Sequence, residues 1–208
     1  MAEPTDVGRS YGVKSIAEQR AAYDDWAARY EADLSAMGYR IPAMIAAVFT
    51  RFVAAGTAPI LDAGCGGGIQ AEALAAIGYG PFIGIDLSEG MMAVAARKGI
   101  YAELRQMALG GRLDLPGGHF GAVISSGTIT PGHAPPESFD DLIRVAKPGA
   151  PLVFSLRCDA KQDPAYPAAL DRLEKAGLWQ PVFATEGFRS MPYGEPEILH
   201  RIHVYRKV

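Results

Sequence analysis

Cysteine is nearly absent from this sequence: 208 residues carry two, Cys65 and Cys158. Neither has metal-ligand spacing nor a partner pattern, so no bound metal is expected and a reducing cytoplasm fits. Charge of one sign is also lacking. Twenty Lys and Arg stand against 23 Asp and Glu, a net of −3. No basic surface advertises nucleic acid as a partner. No apolar run approaches the roughly 20 residues that cross a membrane. The opening stretch, residues 1–12, is polar and has no basic-then-apolar signal. Internal repeats and low-complexity tracts are missing too.

What remains is ordinary globular material, half of it apolar and a fifth charged. That length most simply makes one domain with a full core. The most informative stretch is Pro59-Ile-Leu-Asp-Ala-Gly-Cys-Gly-Gly-Gly68. Ile60 and Leu61 end an apolar run that reads as a buried strand. Glycines 64, 66, 67 and 68 then bare the backbone, and a helical pattern follows over 69–77. Strand, glycine turn and helix start together suit a nucleotide-type ligand.

Two frames compete for that turn. Counted from Gly66, the run gives G-x-G-x-x-A, a weak form of the dinucleotide fingerprint. That frame leaves three residues, Asp62 to Gly64, between strand and motif. The frame that fits the strand end is Asp62-x-Gly64-x-Gly66. No Gly-Lys-Ser/Thr sequel follows, which excludes a P-loop. Some twenty residues on, Phe82-Ile-Gly-Ile-Asp86-Leu-Ser88 reads as a second strand ending in an acid. An acid there can accept from both hydroxyls of a ribose; it can also be a turn acid or helix cap.

Strand and helix alternate through the middle of the chain. Strands are expected at 60–62, 82–86, 101–106, 120–125 and 151–156. Helices are expected at 69–77, 89–98 (capped by Ser88) and 137–145. Such alternation demands right-handed crossovers and a parallel sheet. Residues 15–37 read as one amphipathic helix, and a second opens at Ile41-Pro42. The aromatic stripe Tyr23–Trp26–Tyr30 packs a core or forms a lid over a ligand. In the tail a helix to Lys175 precedes strands at 179–188 and 198–207, joined as a hairpin.

The Asp62-x-Gly64-x-Gly66 turn paired with Asp86 resembles motif I and its partner acid in the class I S-adenosylmethionine (SAM) methyltransferases. Tyr23-Asp-x-Trp-Ala-x-x-Tyr30-Glu31 looks like the N-terminal lid of their small-molecule members. Gly132-His133-x-Pro135-Pro136 is similar to a stretch in the subgroup named after the Williams–Beuren syndrome chromosome region. The C-terminal hairpin matches the antiparallel last strand of the family's sheet. The resemblance implies an α/β, three-layer Rossmann-like sandwich with a seven-stranded, mostly parallel sheet. Residues 1–57 would form the helical lid and 58–208 the core.

It also implies the site. Gly64, Cys65 and Gly66 would line the methionine and ribose part of SAM. Asp62 would orient that loop or reach the amino group. Asp86 would hold the ribose, Leu87 and Met91 would flank the adenine, and Ala108 and Leu109 would read its edge. One departure stands out: Gln106-Met-Ala-Leu109 lacks the acid the family often places after strand three. Tyr23, Trp26 and Tyr30 are candidates for the cofactor's cationic and amino-acid parts. Ser125, Ser126 and Thr130 could bond cofactor or acceptor, or merely close the strand end. His133 is the candidate base or acceptor-binding group, or else a loop histidine bonding backbone. Arg157 could face an anionic acceptor or form an ordinary pair. The expected activity is methyl transfer from SAM, giving S-adenosylhomocysteine (SAH), to a small molecule. A SAM or SAH binding module without catalysis, and an NAD-dependent oxidoreductase, are the alternatives. No Asn/Asp-Pro-Pro-Tyr stretch follows strand four to stack a flipped base.

Overall fold

A computed structural model describes residues 15–208; the reading of residues 1–12 lies outside them. The elements run α1 (Ile16–Trp26), α2 (Tyr30–Ala36), α3 (Ile41–Phe52), β1 (Ile60–Ala63), α4 (Ile69–Ala75), β2 (Phe82–Asp86), α5 (Glu89–Arg97), β3 (Tyr101–Gln106), β4 (Ala122–Ser125), α6 (Ser138–Val145), β5 (Pro151–Arg157), α7 (Ala165–Lys175), β6 (Trp179–Ala184), β7 (Phe188–Met191) and β8 (Glu195–Lys207). Strand order is β3-β2-β1-β4-β5-β8-β6, with β7 also on β8. The first five strands are parallel to their neighbours, and β8 is antiparallel to β5, β6 and β7. The eight strands therefore fill the seven positions expected, because β6 and β7 share one.

Each central strand is buried on both faces, and alternate residues serve different layers. Ile60, Ile124 and Val153 pack with Ile45, Phe49 and Leu74 from α3 and α4. Their neighbours Leu61, Val123 and Phe154 pack with Phe139, Leu142 and Leu170 from α6 and α7. Trp179 joins this second layer, its ring 5.4 Å from Phe139 and 5.9 Å from Phe154. The sandwich is thus three-layered.

Two elements read as continuous are broken. The expected helix over 15–37 stops at Trp26 and restarts at Tyr30. Its two halves dock in different places. On α1, Asp24 accepts from the Ser88 hydroxyl (2.6 Å) and the Gly90 amide (2.8 Å) at the start of α5. On α2, Leu34 packs with Trp26 against Met191 and Ile198 of the hairpin. The Trp26 indole donates to Asp33 across the break at 2.7 Å. The expected strand over 179–188 is broken at 185–187. There the Thr185 hydroxyl, rather than a backbone carbonyl, accepts from the Ile202 amide (3.1 Å), and the ladder shifts. Strand four is also shorter than expected, with Phe120 held to Ala146 by an isolated bridge.

Candidate functional site

The loops after β1, β2, β3 and β4 leave the same edge of the sheet, because these strands are parallel. β1 and β4 are neighbours whose next crossovers run to opposite sides, and ligands settle at such a switch point. A cleft of about 860 Å³, open to solvent, lies there. The α1–α2 region covers it, contributing Tyr23 and Tyr30 to its wall.

The glycine turn shapes the floor. Gly64 has φ +74°, and a Cβ there would stand 2.3 Å from the Thr128 side chain. Only glycine fits both the backbone and the space. Gly68, at φ +87°, turns the chain into α4. At the end of β2, Asp86 places one carboxylate oxygen 2.8 Å from the Gly66 amide and the other 2.9 Å from the Ser88 amide, accepting from both. Burial raises its pKa; the backbone donors oppose that. A carboxylate oxygen has lone pairs for a second donor, so both oxygens can still face a ligand's hydroxyls. Ser88 caps α5 through its hydroxyl, which accepts from Met91 at 3.0 Å. Leu87, Met91, Ala108 and Leu109 all line the cleft, as do Cys65 and Ser126. Ser126 Oγ is buried and has no hydrogen-bond partner among the described residues, so a ligand would satisfy it.

Three expected site residues lie behind the lining. Trp26 is buried under α2 and bonded to Asp33. The Ser125 hydroxyl donates to the Ala63 carbonyl at 2.8 Å. Asp62 is fully buried, accepting from the Tyr101 hydroxyl at 2.7 Å and the Gln70 amide at 2.8 Å. Tyr101 and Gln70 carried no signal in the sequence, since Tyr101 sits 39 residues away on an edge strand. Nor did Thr128; Asp24 stands in the lid-like stretch, but nothing there pointed to its bonds with Ser88 and Gly90.

Burial pushes the Asp62 carboxyl up to about 7, with the two hydrogen bonds opposing and Asp86 adding to the rise. An acid raised from 3.8 in this way contributes fully to stability below pH about 4, and loses that contribution as pH climbs to about 7. Asp62→Asn stays neutral. Its unfolding free energy should therefore fall less between pH 4 and 7 than the wild type's, by on the order of a few kcal/mol. Urea unfolding at a series of pH values checks this; equal slopes would contradict it.

His133 sits between the β4 loop and the lid. Its Nδ1 lies 3.4 Å from the Pro131 carbonyl, which can only accept. That places the proton on Nδ1 in the neutral ring, so Nε2 accepts from the Tyr23 hydroxyl at 2.6 Å. Burial pulls the imidazole down to about 4, so it is neutral at pH 7. Among the described residues, no group of three His, Cys, Asp or Glu side chains is arranged to hold a metal ion, and no helix is long and apolar enough to cross a membrane.

The comparisons agree with this geometry. A methyltransferase domain model matches residues 61–154, from the middle of β1 into β5. Human methyltransferase-like protein 27 is 33% identical over 184 residues, covering 86% of this chain and 75% of that protein. The chain belongs to the class I SAM-dependent methyltransferases. Solved structures with this fold include a SAM-dependent methyltransferase, possible histamine N-methyltransferase, from Thermotoga maritima. It has a TM-score of 0.66 at 15% identity, covering 89% of this chain and 98% of that one. A TehB-like SAM-dependent methyltransferase from Corynebacterium glutamicum has 0.65 at 20% identity, covering 90% and 99%. At such identities these structures speak for the fold. Membership in this family sets aside the dinucleotide-oxidoreductase alternative.

Proposed function

We propose that the cleft holds SAM and that the enzyme passes its methyl group to a small molecule. The observation that carries this reading is Asp86. Its two oxygens are fixed by the Gly66 and Ser88 amides at the mouth of a glycine cradle, where a ribose diol would bridge them. Backbone groups of Gly64, Cys65 and Gly66 would take the ribose and methionine part. Leu87 and Met91 would flank the adenine, while the backbone of Ala108 and Leu109 reads its edge in place of an acid. Tyr23 and Tyr30 line the cleft with aromatic rings that could stabilise a cation, and Ser126 Oγ awaits a polar partner. Asp62, Ser125 and Trp26 act from behind, holding the turn, the strand end and the lid.

When bound, SAM supplies a methyl group already activated by the sulfonium charge. The chain's task is alignment of the nucleophile and exclusion of water. The covering α1 would help exclude water once the cofactor is bound, and Asp24 holds it to α5. The neutral His133 can take a proton at Nε2 from an acceptor that displaces the Tyr23 hydroxyl. The net charge of −3 and the absence of a base-stacking motif favour a small acceptor over nucleic acid. The resemblance to the Williams–Beuren-region subgroup and a cytoplasmic setting belong to the same reading.

The test is turnover. Purified enzyme with methyl-labelled SAM should release SAH only when a small-molecule extract is added, with label in a molecule below about a kilodalton. Cofactor binding with no turnover on any extract would point instead to the binding module without catalysis.

A further inference from the structure

A second hollow of about 500 Å³, open to solvent, adjoins the cleft at His133. The two share Tyr23, Tyr30, Tyr39, Gly127 and His133. Its walls are mostly aromatic and aliphatic, with Trp26, Leu34, Ile41 and Met191 among them. One charged side chain lines it, Arg157 at the end of β5. No carboxylate lines it among the described residues.

The Arg157 guanidinium is held in place by Asp159, which accepts from Nε at 2.7 Å and from Nη2 at 3.1 Å. Asp159 also accepts from the backbone amides of Lys161 (2.9 Å) and Leu199 (3.3 Å). Its negative charge is therefore shared among four donors, two on Arg157 and two backbone amides, and Asp159 itself does not line the cavity. Glu195 stands nearby without lining the cavity, and Lys161 and Arg201 add positive charge around it. The other lining residues with polar groups are Thr130, two histidines, Trp26, Tyr23, Tyr30 and Tyr39; the hydroxyls and the indole carry no charge. Both histidines are neutral at pH 7: burial takes His133 down to about 4, and burial with the Arg157 charge does the same to His200. An aromatic-lined hollow whose one charged lining side chain among the described residues is a fixed cation suits a ligand with an aromatic body and an anionic end.

We propose that this cavity is the acceptor subsite, and that the acceptor is a small aromatic anion whose carboxylate faces Arg157 and whose nucleophile faces His133. This rests on the methyltransferase reading of the first cleft. Planar rings match the aromatic walls, and a guanidinium is the usual fork for a carboxylate.

The experiment uses SAH-loaded protein and three probes of one shape: 4-hydroxybenzoate, its neutral analogue 4-hydroxybenzamide, and cationic tyramine. Affinities are read by competition in ligand-observed NMR. The anion should bind at least about tenfold tighter than the amide, the difference one charge-assisted contact makes, and tyramine weakest. In Arg157→Gln that preference should vanish while SAH affinity stays the same. Arg157→Lys should keep part of it. The pair Arg157→Gln with Asp159→Asn leaves no buried charge unpaired, so loss of preference there is not a folding effect. Equal affinities for anion and amide, tighter binding of tyramine, or no probe bound despite SAH would overturn the proposal and leave the cofactor site standing. Failure of SAH itself to bind would instead overturn the reading beneath it.

Discussion

Asp86→Ala should weaken SAH and SAM by about a hundredfold or more in calorimetric titration. The change removes both oxygens that, in the proposed site, accept from the ribose hydroxyls. Hydrogen bonds to a charged group are worth about 1.5–3 kcal/mol each, so two of them reach that figure. It also releases the Gly66 and Ser88 amides, which Asp86 now fixes. Asp86→Asn separates the effects. An amide keeps the shape and one acceptor oxygen, and it should retain part of the affinity. If Asp86→Ala bound SAH as the wild type does, the cradle would not be a ribose site, however well the family matches.

His133→Ala should leave SAH affinity within about threefold and lower kcat by about 10² to 10⁴ with whichever acceptor turns over, the usual range for a lost acid–base group. The split between binding and rate is the informative part. Tyr23 and His133 join the lid to the β4 loop, so some loss of cofactor affinity would accompany a loosened lid. Tyr23→Phe, which removes the hydroxyl and keeps the ring, reports that share. The pH profile adds a second reading. A base is active when unprotonated, and burial holds this imidazole down to about 4. The acid limb of kcat/KM belonging to His133 should therefore fall near pH 4, well below the 6.5 of an ordinary histidine. An unchanged kcat in His133→Ala would reduce the residue to a lid contact.

The central strands and the cofactor turn were legible because both depend on local order. Strands β2 and β3 fall where the apolar pattern placed them, and Ser88 caps α5 as its position implied. The turn from Asp62 to Gly66 and Asp86 were paired through their resemblance to a family motif at a matching spacing. The Asp62–Tyr101–Gln70 network could not, because the sheet brings Tyr101 in from two strands away. The same holds for Asp24, whose carboxylate reaches 64 residues along the chain to Ser88. Helical periodicity across 15–37 was real, yet it could not show that the two halves dock on separate surfaces. The stretch 179–188 read as one strand, and the pattern did not show the break at 185–187, where the Thr185 hydroxyl accepts from the Ile202 amide. The missing acid after β3 was visible at once. What takes its place, a short wall of Met107, Ala108 and Leu109, needed the fold.

The most direct test is calorimetric titration of the wild-type protein with SAH, then SAM, then NADH. A SAM site in the cleft requires saturable one-to-one binding of both sulfur nucleosides and none of NADH. Binding of NADH with no response to SAH or SAM would contradict it, and would return the glycine turn to the frame that starts at Gly66.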